Sequence, residues 1–184
     1  MEIAELIREI QAGSEPAQDA LFTKLSGRMF ILCRRYVKNT EDAEESLLDG
    51  FCNVFKHIGS FRYQGDAAFI TWMKKIMASV CTKKLRKKIP FQLVPETAAD
   101  DVPMQDDIYN NISTREIYKV ILGLPDGYRT VFNLYVIEGF DHKEIGNMLS
   151  ISVNTSRTQL MYARKLLQKK LTVNKSNHEP TLSK

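Results

Sequence analysis

One period runs through almost the whole chain, and it fails only once. Apolar residues recur three and four apart from Ile3 to Leu85, and again from Ile112 to Leu171. That spacing lines one face of a helix, and no alternating strand pattern of useful length competes with it. From Ile89 to Asn111 the period disappears into three prolines (Pro90, Pro95, Pro103), five acids and small residues. A span of about 20 structureless residues is unusual inside a compact domain. The chain therefore reads as all-α: two small helical domains joined by an extended acidic linker. The expected divisions are an N-terminal helix at 1–16, a first domain at 17–88, the linker at 89–111, a second domain at 112–171 and a disordered polar tail at 172–184.

Start and stop signals divide the periodic stretches. Ile3, Leu6, Ile7 and Ile10 form a first face, which Gly13 ends. Ser14 is placed to cap a second helix with Pro16 in its first turn. Thr40 is expected to cap a third, whose first turn is acidic (Glu41, Asp42, Glu44), as the helix dipole prefers. Leu47, Leu48, Phe51, Val54, Phe55 and Ile58 line it, and Gly59-Ser60 closes it. Gly65-Asp66 opens a fourth helix, which runs through Phe69, Trp72, Met73, Ile76 and Val80 to a basic end at Lys88. After the break, Ile117, Val120, Ile121 and Leu124 precede Pro125. Tyr128, Val131, Phe132, Tyr135 and Val136 form a further face, stopped by Gly139. Asp141 and Glu144 have the spacing of a capping box.

Charge separates the same blocks. Of 184 residues, 26 are basic and 22 acidic, a net of +4. Residues 1–60 carry −3, 61–88 carry +7, 89–114 carry −5 and 115–171 carry +4. Two basic surfaces joined by an acidic connector suit a polyanionic partner, and the nearby aromatics favour nucleic acid over a membrane surface. No segment approaches the ~20 apolar residues of a membrane helix, and the first residues do not resemble a secretory signal. Cys33, Cys52 and Cys81 are an odd set without a CxxC pair, which excludes a disulfide framework and a four-thiolate zinc site. The reading is a reduced cytoplasmic protein whose cysteines are small buried side chains. His57, His142 and His178 are scattered, and no HExxH, phosphate loop or GxSxG elbow occurs. A paired-carboxylate nuclease site is the one enzymatic option, and nothing places its partner groups; no enzyme, cofactor, metal or small-molecule substrate is expected.

Residues 141–170 carry the sharpest signal: a short helix, a three-residue turn around Ile151 and a longer helix, which is helix-turn-helix spacing. Ile145, Leu149, Ile151, Leu160 and Ala163 face inward, with Gly146 and Ala163 where the helices must cross closely. The outer face of the second helix offers Asn154, Arg157, Thr158, Met161, Tyr162 and Lys165, which can reach base edges and phosphates from a major groove. An ordinary helical hairpin with a solvated basic face shares this spacing. In the first half, Asp42, Glu45 and Asp49 lie on one face of the third helix. They suit a solvated helix start, a divalent metal or a protein interface. Phe69 and Trp72, three apart, read as core more readily than as a stacking platform. Phe61 and Tyr63, in a loop, are better placed to meet bases.

The stretch Leu124-Pro-Asp-Gly-Tyr-Arg-Thr-Val-Phe-Asn-Leu-Tyr-Val-Ile-Glu-Gly-Phe140, followed by Asp141 to Ser152, resembles region 4 of the sigma-70 family, and more narrowly the extracytoplasmic-function (ECF) sigma factors. Glu41-Asp-Ala-Glu-Glu-Ser-Leu-Leu-Asp-Gly-Phe51 resembles region 2.2. Ser60-Phe61-Arg62, then Phe69-Ile-Thr-Trp72 and the basic helix end, resemble regions 2.3 and 2.4. The resemblance covers residues 17–88 and 112–171 in the expected order. Thr155-Ser156, where Thr-Val is usual, is similar to the subset common in Bacteroidetes. The chain differs from the pattern in three places. Ser150 stands where the turn usually has Gly, at a cost on the order of 1 kcal/mol if φ is positive there. Leu47-Leu48 replaces a polar pair before Asp49. The loop between Phe61 and Phe69 is two residues longer.

The resemblance implies a sigma factor that directs core RNA polymerase to promoters, rather than a stand-alone helix-turn-helix regulator. It implies that Asp42, Glu45, Leu48 and Asp49 dock on the clamp coiled coil of the polymerase largest subunit, with further contact to the β subunit. Phe61, Arg62, Tyr63, Lys83, Lys84, Arg86 and Lys87 would hold the unpaired −10 strand. Asn154, Thr155, Arg157, Thr158, Met161, Tyr162, Arg164 and Lys165 would meet the −35 element. The acidic linker would thread the polymerase and fill its RNA exit path. Such factors are often held by an anti-sigma partner, frequently membrane-bound.

Overall fold

The computed structural model describes residues 1–88, 91 and 114–176. Most of the expected linker 89–111 and the end of the expected tail, 177–184, lie outside the described residues. Among the described residues there are helices and no strand, and the chain divides into two compact units, Met1–Lys88 and Ile89–Lys184.

The first unit contains α1 (Ile3–Gln11), α2 (Glu15–Tyr36), α3 (Thr40–His57), a 3₁₀ turn (Ile58–Ser60) and α4 (Asp66–Lys88). The helix α1, read from sequence as a separate N-terminal piece, belongs to this unit. It buries Ile3, Leu6, Ile7 and Ile10. Gln11 Nε2 donates to the carbonyls of Ile58 at 2.8 Å and Phe61 at 2.9 Å, fastening α1 to the end of the 3₁₀ turn. Ser14 caps α2 by accepting from the Ala17 amide. Asn39, not Thr40, caps α3: its side chain accepts from the Asp42 amide at 3.1 Å, while Thr40 is already helical and accepts from Arg34. Asn outranks Thr as a cap, and one residue of offset satisfies the same orphan amides. Met29, Val54, Phe69, Met73 and Met77 are buried where α2, α3 and α4 meet. At Gly50 a Cβ would lie 2.1 Å from Met77 Sδ, so a side chain there would have to displace the buried Met77 thioether between α3 and α4. Cys33 and Cys81 are buried as expected, but Cys52 is exposed on α3.

The second unit contains α5 (Thr114–Leu122), α6 (Asp126–Phe132), a π-helical turn (Asn133–Ile137), α7 (His142–Leu149) and α8 (Val153–Ser176). Its core gathers Val120, Ile121, Leu124 and Tyr128 with Ala163, Leu167 and Leu171 of α8. The face expected at Tyr135 and Val136 is exposed instead, 37% and 47%. The Glu138 amide reaches back to the Asn133 carbonyl, and the extra residue in that turn rotates Asn133 and Leu134 inward in their place. The α8 backbone continues helically to Ser176, five residues beyond the expected end of the domain. Phe91, expected in the linker, is buried within this unit, and its carbonyl accepts from Gln159 Nε2 at 2.6 Å. Arg129 is 1% exposed, held by Asp126 Oδ1 at 2.7 Å and the Leu124 carbonyl at 3.1 Å. No helix among the described residues is long and apolar enough to cross a membrane.

Candidate functional site

In the first unit, the start of α3 and the end of α4 lie side by side, and their charges meet. Lys84 Nζ lies 3.0 Å from Asp42 Oδ1 and also pairs with Glu45. Lys88 Nζ lies 2.8 Å from Asp42 Oδ2. The lysines hold the Asp42 carboxyl below the usual carboxylate range, Lys88 first and Lys84 second. Burial alone would lower the Lys84 ammonium, but hydrogen bonds to Glu45 and Asp42 outweigh it and hold it above its ordinary value. Of the acidic face read from sequence, Asp42 and Glu45 thus face the protein's own lysines. Leu48 is 56% exposed and Asp49 is exposed beside it, the part of α3 open to a partner. Among the described residues no group of three His, Cys, Asp or Glu is arranged to hold a metal.

The basic run at the end of α4 is split in the same way. Lys84 is turned onto α3, while Lys83, Arg86 and Lys87 are exposed. Lys83 also edges a cleft of about 470 Å³ between α3 and α4, lined by Asn53, His57, Trp72 and Ile76 among others. The loop aromatics divide. Phe61 is half-buried in a cluster, with ring centroids 4.8 Å from Trp72 and 5.3 Å from Phe69. Phe69 is fully buried, and Trp72 keeps part of its ring exposed. Tyr63 stands 42% exposed, its hydroxyl donating to Asp66 Oδ1 at 2.6 Å, which raises its pKa. Arg62 is exposed beside it. Tyr63 and Arg62 are therefore open to a ligand, as is Gln64 beside them. Phe61 supports them, because its ring is needed to cover Phe69.

In the second unit, the helix-turn-helix is built from local signals that the sequence carries openly. The Asp141 carboxylate accepts from the Lys143 and Glu144 amides, and Glu144 accepts from the Asp141 amide at 2.8 Å, a complete capping box. The turn is Ser150, Ile151 and Ser152. Ser150 adopts φ 57°, ψ 45°, the left-handed conformation that Gly usually supplies, and is the one non-glycine with positive φ among the described residues. Gly146 is required by the turn rather than by the facing helix: a Cβ there would lie 2.9 Å from the Ile151 carbonyl oxygen. Ser152 caps α8, its hydroxyl accepting from the Thr155 amide at 2.9 Å.

The eight expected contact residues on α8 then sort by exposure. Asn154, Arg157, Met161 and Arg164 are exposed on one side of α8, and Arg157 and Arg164 make no ion pair among the described residues. Thr155 is occupied at the cap, where its hydroxyl lies 2.8 Å from that of Ser152. Thr158 and Lys165 are half-buried. Tyr162, expected outward, leans on the core against Tyr128, centroids 5.8 Å apart. Burial and the neighbouring Tyr162 push the Tyr128 hydroxyl up. The inner side of α8 holds three buried polar residues that apolar periodicity did not flag, Ser156, Gln159 and Gln168. The interleaved outer residue types could have shown them: each stands three or four from an inward apolar residue.

Comparison with known proteins follows these two units. The family description "Sigma-70 region 2" matches residues 21–89, and "Sigma-70, region 4" matches residues 114–167. The chain is 29% identical to the ECF RNA polymerase sigma factor SigW of Bacillus subtilis, over 93% of this chain and 97% of that one. It is 24% identical to the RNA polymerase sigma-H factor of Pseudomonas aeruginosa, covering 91% and 92%. It is 27% identical to the ECF sigma factor SigM of Mycobacterium tuberculosis, covering 91% and 84%. Among solved structures, the sigma factor RpoE of Bartonella quintana, in complex with the anti-sigma factor NepR, aligns with a TM-score of 0.50. That alignment has 15% identity, covers 84% of this chain and 96% of that one, and bears on the fold.

Proposed function

Because the chain belongs to the sigma-70 family of RNA polymerase sigma factors, in its extracytoplasmic-function branch, we propose that its two units divide the work of promoter recognition. The protein acts in transcription initiation, directing core RNA polymerase to specific promoters. The first unit docks on core polymerase through the exposed part of α3, Leu48 and Asp49, and takes the −10 strand on Arg62, Tyr63, Lys83, Arg86 and Lys87. The second lays the N-terminal half of α8 in the −35 major groove, where Asn154 and Arg157 meet base edges and Arg164 meets phosphate. The polymerase supplies the chemistry, so the chain itself needs no catalytic group. Its place of work is the cytoplasm, where the polymerase and the chromosome are. An anti-sigma factor is the expected regulatory partner, as for the Bartonella quintana relative.

One observation carries the reading: two sigma-70 regions occur in order, each falls almost wholly within a separate compact unit, and the second ends in a capped helix-turn-helix with an outward arginine. A stand-alone regulator would share the helix-turn-helix but has no use for the first unit. Pull-down with core polymerase tests the assignment of α3. Asp49→Lys together with Leu48→Ala should weaken capture at moderate salt and leave helicity unchanged. Capture equal to that of the unaltered chain would remove α3 from the interface.

A further inference from the structure

Ser156 is a hydroxyl in a place that excludes water. It is 0% exposed, on the side of α8 that faces α7. A buried hydroxyl without a partner is costly, and an apolar residue would fit there without that requirement. Its partner is His142, the first residue of α7: imidazole Nδ1 lies 2.9 Å from Ser156 Oγ. The imidazole is itself fixed on its face, stacked on Tyr135 with centroids 4.4 Å apart and planes 21° apart. Its position on the chain is fixed by the Asp141 capping box immediately before it. The side chain that follows Ser156 is Arg157.

We propose that His142 is a positioning residue for the recognition helix: bonded to Ser156, it sets the roll of α8 about its own axis, and so the direction in which Arg157 leaves it. The proposal rests on the reading of α8 as the −35 helix and deepens it by naming what aims the helix. The charged and titratable groups around the ring agree with a neutral imidazole. Burial first, then Arg157 and Arg164 of α8, lower its pKa, against an opposing pull from Asp141; Tyr135 covers one face. A neutral ring holds the helix without adding a third cation to the groove-facing side. It also accounts for Ser at position 156: the hydroxyl gives α8 one angular setting, where an apolar side chain would pack in several.

The test uses holoenzyme assembled from the full chain and core polymerase, transcribing a barcoded library of duplex promoters randomised at the −35 and −10 elements. His142→Phe keeps a ring for Tyr135 but removes the bond. Ser156→Ala removes it from the other side with a minimal change of volume. His142→Asn places Oδ1 close to where Nδ1 stood and keeps it. The bond-less variants should flatten preference at the −35 positions read by Arg157 about fivefold, with the −10 motif unchanged, and His142→Asn should retain the unaltered preference. A common drop across all promoters with the −35 ranking intact, for both His142→Phe and Ser156→Ala, would make the pair merely structural and overturn the proposal. So would His142→Asn behaving like His142→Phe. If the unaltered chain drives transcription yet selects no −35 motif, the reading of α8 fails, and the proposal fails with it.

Discussion

The end of α4 and the outer side of α8 are both basic and both face a nucleic acid in the proposed function, yet their charges are held differently. On α4, Lys84 and Lys88 are tied to Asp42 and Glu45 of α3. On α8, Arg157 and Arg164 are exposed and make no ion pair among the described residues. The +7 of residues 61–88 therefore overstates what the first unit can offer to phosphate, because part of it is answered by acids some 40 positions earlier. The first unit spends lysine on holding two helices together, while the second holds its helices by caps and a tight turn and leaves arginine open.

The largest expected effect lies in the second unit. Arg157→Ala should lose a contact worth about 1–3 kcal/mol of discrimination. It should relax one or two −35 positions in transcription from promoter variants and leave core binding intact. Arg164→Ala should weaken all sequences alike and lower the salt slope by about one unit. Equal behaviour of the two would erase the distinction between base-reading and phosphate-holding positions on α8.

Next comes the turn. Gly146→Ala places a methyl against the Ile151 carbonyl, which is backbone and cannot step aside. A loss of about 1–3 kcal/mol is expected, as for other overpacked sites, and hydrogen exchange should show it in α7 and α8 but not in α2 to α4. Ser150→Gly should act in the opposite direction. It relieves a left-handed residue at a cost on the order of 1 kcal/mol, less the greater entropy of Gly in the unfolded chain. A thermal melt in which the variant is less stable would show that the Ser150 side chain contributes more than its backbone loses.

The smallest effect is expected in the ion pairs. Asp42→Asn should lower stability at neutral pH by no more than about 1 kcal/mol, since exposed pairs contribute little. Its pH dependence is the sharper readout. The folded pKa of Asp42 is depressed, so its contribution is complete above the unfolded value near 4 and is lost as pH falls through the lower folded value. Asp42→Asn should abolish that part of the acid limb below pH ~4. An unchanged acid limb would mean that the lysines do not hold the carboxylate.

The two units were legible in the sequence to different degrees, for physical reasons. Caps and breakers are local, so Ser14, Asp141, Gly13 and Gly139 could be read directly, and Ser150, standing where the resembled pattern has Gly, takes the positive φ that a glycine there would supply. The pairing of Asp42 with Lys84 and Lys88 joins residues 42 and 46 positions apart, and no periodicity reports it. The π turn at Asn133–Ile137 shifts the register by one residue, so a helical wheel put Tyr135 and Val136 inside when they are outside. Tyr162 failed similarly, because a tyrosine near the edge of an apolar face can turn either way and Tyr128 decided it. The bond between His142 and Ser156 joins residues 14 positions apart on two helices and needed coordinates.

Permanganate reactivity of thymines tests the central claim most directly, on a promoter chosen from the randomised library and probed with the chain alone, with core polymerase alone and with both. Thymines near −10 should become reactive only when chain and core are present together, with Arg157→Ala lowering the signal without moving it. Reactive thymines or a stable duplex complex with the chain alone, or no reactivity with both present, would contradict the division of work between the two units.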